Sequence, residues 1–379
     1  MLLTNLKLEA RTGTELYVRD LALGLLAKGH RPVVYSPRLG KLAREIRAET
    51  IPVVDELSQS SVTPDIIHGH HANETLTALL HFPNVPAVFF CHDWYFGEDF
   101  PPPFPRILRY VAVDQSCFDK LVCECGVPEE RVRILHQFVD LEQFQARPPL
   151  PATASRAVIL CNHTKENEHL AAARAACATA GVTLDVFGRG VDRPCAEPEK
   201  LFRDYDIVFA KGRAALEAMA VGAAVIVYWW RRLGPMVTIE EFDNLQRQNF
   251  GVRAMSPQLT PDEFGRQIKQ ALSRYNSADA TAVSRQVRAS CGRDESISEV
   301  VGLYEEVIAS YSSDPRADAQ EEARAAAAHL RKMSLRFRHQ LDTMYNSTPF
   351  RLTERVLRLP VLGGIARAIA RVAAGRRSR

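Results

Sequence analysis

Short, almost continuously apolar runs recur along this chain, and each is followed by a stretch with helical spacing. The runs include Val33-Val34-Tyr35, Ala87-Val88-Phe89-Phe90, Tyr110-Val111-Ala112-Val113, Ala157–Leu160, Ile207–Ala210 and Ala223–Trp229. A strand without alternating polar residues is covered on both faces, and strand–helix alternation implies parallel strands joined by helical crossovers. The sequence therefore predicts doubly wound α/β structure. A proline-rich break, Arg147-Pro148-Pro149-Leu150-Pro151, interrupts the alternation, and a second set begins at Ala157. Two Rossmann-like domains are expected, over residues 1–146 and 156–312, with a ligand between them at the carboxyl ends of their strands. A helix near 296–311 is expected to close the second domain. A helical basic tail, 313–379, follows, with an amphipathic helix over about 318–345.

Two domains also suit the 379 residues of the chain, because single cores divide beyond roughly 250–300 residues. With 46% hydrophobic and 25% charged residues, wholesale disorder, a collagen and a disulfide scaffold are excluded. The eight cysteines form no C-x-x-C pair, and no signal peptide is expected. Free thiols in a reducing cytosol are the expectation. No uncharged apolar run is long enough for an ordinary membrane span.

Charge is distributed unevenly. From Ser313 onward there are 14 basic against 6 acidic residues, leaving 34 against 39 in residues 1–312. The acidic body argues against nucleic acid as a partner, and the basic tail argues for something anionic. After Pro360, the residues Val361, Leu362, Ile365, Ile369 and Val372 share one side of a helix, with Arg367 and Arg371 opposite. Segment 350–379 thus suits an anionic membrane surface, against the alternative of a disordered basic terminus.

Several residues have types and positions that could carry chemistry. Gly13 stands at a turn before a helix, where a bare backbone could approach a phosphate; a tight βα turn is the plainer reading. Lys211-Gly212-Arg213 lies between the strand Asp206–Ala210 and a helix expected from Ala214. Two cations at a helix start are unfavourable with respect to its dipole unless an anion is bound or both reach solvent. Glu217 lies among alanines, where it either reaches solvent or accepts hydrogen bonds from ligand hydroxyls such as a ribose diol. His68, His70 and His71 end a strand and are expected to cap the next helix or meet solvent. His92, after another apolar run, either contacts a substrate or is hydrogen-bonded within the crevice. No metal-ligand set is identified.

Taken in order, these segments resemble family 4 glycosyltransferases of the GT-B fold. The resemblance is carried by Thr12-Gly13-Thr14-Glu15 with Lys28-Gly29-His30, Pro64-Asp65-Ile66-Ile67-His68, and Phe90-Cys91-His92-Asp93. Gly126-Val127-Pro128 with Val132–Asp140, and Leu216-Glu217-Ala218-Met219-Ala220-Val221-Gly222, extend it over about residues 3–311. It implies sugar transfer from a nucleotide-diphosphate donor, with retention and without an essential metal or other cofactor. The acceptor would sit on the N-terminal domain and the nucleotide on the C-terminal one. Glu217 would hold the ribose, Gly13 would approach the donor phosphates, and His92 would lie beside the transferred sugar.

The chain departs from the family pattern where the diphosphate is neutralised. Phe209 stands at the first Glu of the Glu–seven residues–Glu motif, and Asn162 and Asn167 stand where two cations belong. Lys211 and Arg213, with Gly212 and the helix start, are expected to replace that pair, with Lys165 a lesser candidate. The expected acceptor is a cell-envelope or polysaccharide glycan, free or lipid-linked. The expected location is cytoplasmic, with peripheral attachment to the inner face of the cytoplasmic membrane. The alternative is a non-catalytic GT-B protein that binds a nucleotide or glycan as a partner or scaffold.

Overall fold

A computed structural model describes residues 1–95, 97–313 and 318–352. The chain divides into two compact units, Met1–Ala317 and Asp318–Arg379. The first contains two sheets. Strands β1 (Leu2–Thr4), β2 (Val33–Tyr35), β3 (Val53–Val54), β4 (Ile67–Gly69), β5 (Ala87–Cys91), β6 (Ile107–Ala112) and β7 (Val132–Ile134) form a parallel sheet ordered β3-β2-β1-β4-β5-β6-β7. Helices α1 (Gly13–Ala27), α2 (Lys41–Ala48), α3 (Ala72–His81) and α4 (Gln115–Asp119) connect them.

The second sheet holds β8 (Arg156–Leu160), β9 (Thr183–Phe187), β10 (Ile207–Ala210), β11 (Ala224–Trp229) and β12 (Arg232–Met236), ordered β12-β11-β10-β8-β9. Its helices are α5 (Glu168–Thr179), α6 (Pro198–Leu201), α7 (Gly212–Val221), α8 (Phe242–Arg247), α9 (Pro261–Leu272) and α10 (Ser277–Ser290). Alternate residues of β10 enter the two cores on either face of this sheet. Val208 and Ala210 lie in one, Ile207 and Phe209 in the other. The continuous apolar run in the sequence has this physical cause. Strand β12 runs antiparallel to β11 and was not expected, because its Gly-Pro-containing segment lacks an apolar run.

The last helix of the unit, α11 (Arg293–Ser313), departs from expectation. Rather than closing the second lobe, it returns to the first. Ile297, Val300, Leu303, Tyr304 and Val307 are buried in one cluster with Val18, Leu21 and Leu25 of α1. The apolar spacing of α11 identifies a buried face but not the partner that covers it. Tyr304 also meets the buried His68 Nδ1 through its hydroxyl, tying this returning helix to β4.

Buried Arg106, at the start of β6, donates to the carbonyls of Leu79 (2.5 Å), Val85 (2.6 Å) and Phe82 (3.0 Å). Those carbonyls lie at and just beyond the end of α3, where a helix leaves acceptors unmatched and favours a cation. All eight cysteines are free thiols, as their spacing predicts.

In the second unit, Asp318 caps α12 (Ala319–Asn346) by accepting from Gln320 N–H (2.8 Å). Leu330, Leu335 and Phe337 of that helix are exposed. The amphipathic segment predicted to meet a membrane falls mostly on residues 353–379, outside the described residues. Among the described residues, no helix is long and apolar enough to cross a membrane.

Candidate functional site

In each sheet the strand order reverses once, between β1 and β4 in the first and between β8 and β10 in the second. Crevices beyond the carboxyl ends of such strands are where α/β sheets bind ligands. In the first lobe, β1 and β4 are stitched at their ends. His70 N–H donates to Thr4 Oγ1 (3.0 Å), Thr4 Oγ1–H donates to His70 O (3.0 Å), and Leu6 N–H donates to His71 Nδ1 (3.2 Å). The loop that follows β1 is gathered by Glu15, a fully buried carboxylate. It accepts from the backbone N–H groups of Glu9 (2.8 Å), Ala10 (2.9 Å) and Thr12 (3.2 Å). This fixes the turn that carries Gly13 at the first position of α1. A Cβ at Gly13 would meet nothing within 4 Å, so close approach of the backbone does not demand a glycine there.

On the facing lobe, α7 begins at Gly212, two residues before the expected Ala214, and Lys211 is its N-cap residue. Gly212 has φ +53°, in the left-handed region that favours glycine. Lys211 lies with Nζ 4.7 Å from the Trp229 ring centroid, within cation–π range. Burial lowers the Lys211 pKa, opposed by the charges of Asp93, Cys161 and Asp114. Asp93 and Asp114 follow β5 and β6, so Lys211 faces the first lobe across the crevice.

Arg213 and Glu217 have a different environment from the one expected. Arg213 Nε donates to Glu217 Oε1 at 2.6 Å, one turn along the same helix, and Nη2 donates to Asp20 Oδ2 on α1 of the other lobe. Asp20 is fully buried and is also paired with Arg19 (Nε–Oδ1 2.6 Å). Arg213 thus sits between two carboxylates and reaches solvent hardly at all; its Nη1 alone has no partner. Burial raises the pKa of Asp20, but the guanidinium groups of Arg213 and Arg19 together outweigh it and hold the carboxyl below the ordinary value. For Glu217, burial dominates and the pKa rises despite Arg213. The charge of Arg213 is matched mainly by Asp20. Glu217 is buried and its Oε1 is held by Arg213, so it neither reaches solvent nor presents both oxygens to a ligand.

The loops after β8 and β9 explain the two asparagines. Asn162 Oδ1 accepts from Arg189 N–H (3.1 Å), and Asn167 caps α5 by accepting from Leu170 N–H (3.0 Å). A Cβ at Gly188 would lie 2.1 Å from the Cys161 carbonyl oxygen, and φ there is +149°. The glycine allows this close approach and sets Arg189 beside the end of β8. Arg189 and Lys165 are both exposed, with no ion pair among the described residues. Sequence reading passed over Arg189. Its signal was the Gly188-Arg189-Gly190 triplet directly after a strand.

Histidines form the wall of the first lobe. His68 and His70 are fully buried, neither meeting solvent nor capping α3; His71 stands at the N-cap position of α3. His92 is part-buried, and its Nε2 lies 2.8 Å from His70 Nδ1. Tyr17 of α1 packs edge-on to the His92 ring at 4.7 Å. Burial lowers the pKa of every member of this set, to about 3 at His92 and about 4 at His71. His68 and His70 fall well below the ordinary imidazole value for the same reason. Two large aromatics after His92, Trp94 and Tyr95, are 47% and 74% exposed. Their rings meet edge to face at 5.8 Å.

Residues 11–143 match the family description Glycosyltransferase Family 4. Among solved structures, a glycosyltransferase from Rickettsia africae is similar with a TM-score of 0.56 at 13% identity, over 81% of this chain and 98% of that one. Anabaena Alr3699/HepE, solved in complex with UDP and glucose, is similar with a TM-score of 0.54 at 13% identity, over 80% of this chain and 99% of that one. Identities this low establish the shared fold, which is GT-B. No protein with curated function matches the sequence.

Proposed function

For this glycosyltransferase of the GT-B fold, whose residues 11–143 match the family 4 description, we propose transfer of a sugar from a nucleotide diphosphate to a glycan of the cell envelope or a polysaccharide. The observation that carries the proposal is Lys211. It is a cation at the start of α7, at the switch point of the second sheet, facing the first lobe across the crevice. A departing nucleotide diphosphate gains negative charge, and preorganised cations and helix-start N–H groups stabilise that charge in the transition state.

Lys211 is the principal cation in this reading. Arg189 and Lys165, on the neighbouring loops, assist it where a divalent ion would otherwise serve, so transfer proceeds without a metal. The retained configuration follows the family resemblance. Arg213 keeps a different assignment from the one its position suggests. It binds the lobes together through Asp20, and Glu217 becomes available to a ribose only when Arg213 shifts.

Gly13 leaves open space for the donor phosphates, and His92 faces the transferred sugar. Trp94 and Tyr95 favour a glycan acceptor, because exposed aromatic faces pack against the C–H faces of pyranose rings. The basic tail would keep the enzyme on an anionic membrane surface near a lipid-linked acceptor.

A second reading has a specific observation behind it. Glu217 and Arg213 are occupied with each other, which suits a non-catalytic protein that binds a nucleotide or glycan. One experiment separates the two. The purified protein is incubated with UDP-glucose, then with other nucleotide-diphosphate sugars, and release of the nucleotide diphosphate is followed with and without glycan acceptors. Turnover that falls steeply in Lys211→Met supports transfer. Saturable donor binding with neither hydrolysis nor transfer for any donor supports the second reading.

A further inference from the structure

Helix α12 is 28 residues long, about 42 Å at the usual helical rise, and its large apolar side chains are not covered. Leu330, Met333, Phe337, Leu341 and Met344 recur at steps of three and four residues, which sets them along one face of the helix. Leu330 and Phe337 are 63% and 62% exposed, Met333 and Met344 are exposed as well, and Leu341 is half-buried. A continuous apolar row on a regular helix marks a surface that meets a partner.

Two features of the helix say which partner fits. The first is the size of the side chains along the face. Toward the start of the helix the same face continues in alanine, at Ala323 and Ala326. The spacing is symmetric about Met333 and Ser334. Ala323 lies as far before that point as Met344 lies after it, and the same holds for Ala326 with Leu341 and for Leu330 with Phe337. An antiparallel copy centred there sets Ala323 against Met344 and Ala326 against Leu341, small against large, so the two helices can interdigitate at an even separation. A parallel copy would set alanine against alanine and Phe337 against Phe337.

The second feature is charge. Residues 318–330 carry three acidic side chains and one basic, whereas residues 331–346 carry four basic and one acidic. Antiparallel pairing brings the acidic start of each helix against the basic half of the other, and it also opposes the helix dipoles. Parallel pairing would put like charges together. The chain's own segment 353–379 fits less well, because its seven arginines and single glutamate would be repelled by the basic half of α12.

We propose that α12 is a dimerisation helix: its apolar face pairs antiparallel with α12 of a second copy of this chain, about a two-fold axis at Met333 and Ser334. Such a contact is isologous, and a self-complementary face is what it requires. The pairing does not depend on the glycosyltransferase reading.

Sedimentation equilibrium of the full-length chain tests this, with an expected mass of twice 42.4 kDa. Leu330→Asp/Phe337→Asp places charges in the paired face and should raise the dissociation constant at least about a hundredfold. Two charge variants test the orientation. Glu321→Lys/Glu322→Lys and Arg336→Glu/Arg338→Glu should each weaken self-association about tenfold, and an equimolar mixture of the two should recover the dimer. These variants keep every apolar residue, so they decide the matter if the aspartate variant misfolds.

A wild-type chain that stays monomeric overturns the proposal, and monomers that bind vesicles containing phosphatidylglycerol would assign the face to a membrane instead. A dimer that survives Leu330→Asp/Phe337→Asp unchanged also overturns it, because the interface then lies elsewhere. Charge variants that self-associate as tightly as the wild type would refute the antiparallel arrangement.

Discussion

Arg213→Met probes the ionic cluster between the lobes most directly. The substitution keeps much of the side chain's bulk but leaves two carboxylates facing each other, Asp20 fully buried and Glu217 nearly so. Removing one member of a buried ionic group typically costs about 3–5 kcal/mol, because its partner is left unmatched. Asp20 retains Arg19, and Glu217 is already shifted toward its neutral form. The lower end, about 3 kcal/mol, is therefore expected.

Glu217→Gln should behave differently. Arg213 keeps Asp20, and the amide still accepts from Arg213 Nε, so the loss should stay under about 1 kcal/mol. The triple variant Asp20→Asn/Arg213→Met/Glu217→Gln removes the two facing buried carboxylates, leaves only the part-buried Arg19 without its ion-pair partner, and should recover part of the stability lost by Arg213→Met. Urea unfolding followed by tryptophan fluorescence at pH 7 measures all three. Equal losses from Arg213→Met and Glu217→Gln, or no loss from Arg213→Met, would refute the conclusion that Arg213 is matched chiefly by Asp20 and joins the lobes.

Other outcomes can be checked alongside. Lys211→Met should lower kcat about 10²–10³-fold, the usual loss when a group that stabilises transition-state charge is removed, with the urea midpoint little changed. Arg106→Met leaves the carbonyls at the end of α3 without their donor and should cost about 2–4 kcal/mol in the same unfolding assay. Stability should also fall as pH drops from about 6.5 toward 4. Histidines 68, 70, 71 and 92 stay neutral when folded but protonate in the unfolded chain, at up to about 1.4 kcal/mol per pH unit for each. Glu74 and Asp99, whose pKa values burial raises to about 7, act with the opposite sign between about 4.5 and 7. They should reduce that slope near pH 6 and leave it steepest below about 5. Thermal unfolding across pH 4–8 shows the curve, and a melting temperature that rises as pH falls below 6 would contradict it.

The local sequence was sufficient for every element whose burial is two-sided. The runs Ala87–Cys91 and Ile207–Ala210 have no polar positions because helices cover both faces of each sheet, and that requirement is written residue by residue. Asn167 and Asp318 cap their helices through local hydrogen bonds, yet neither was read as a cap from the sequence. Strand β12 and the first turn of α7 were not legible, because their hydrogen-bond partners lie on other segments.

The same division runs through the site. Residue type and place in the strand–helix alternation made Gly13, His92, Lys211 and Glu217 candidates, because ligands meet α/β sheets at strand ends. What each side chain touches depended on contacts across many residues of sequence. Arg213 reads as a free cation until α1 brings Asp20 against it, and His70 reads as a solvent-facing cap until β5 sets His92 beside it. Charge and hydrogen-bonding capacity belong to a residue, but whether they are already satisfied depends on its neighbours, and tertiary packing alone decides that.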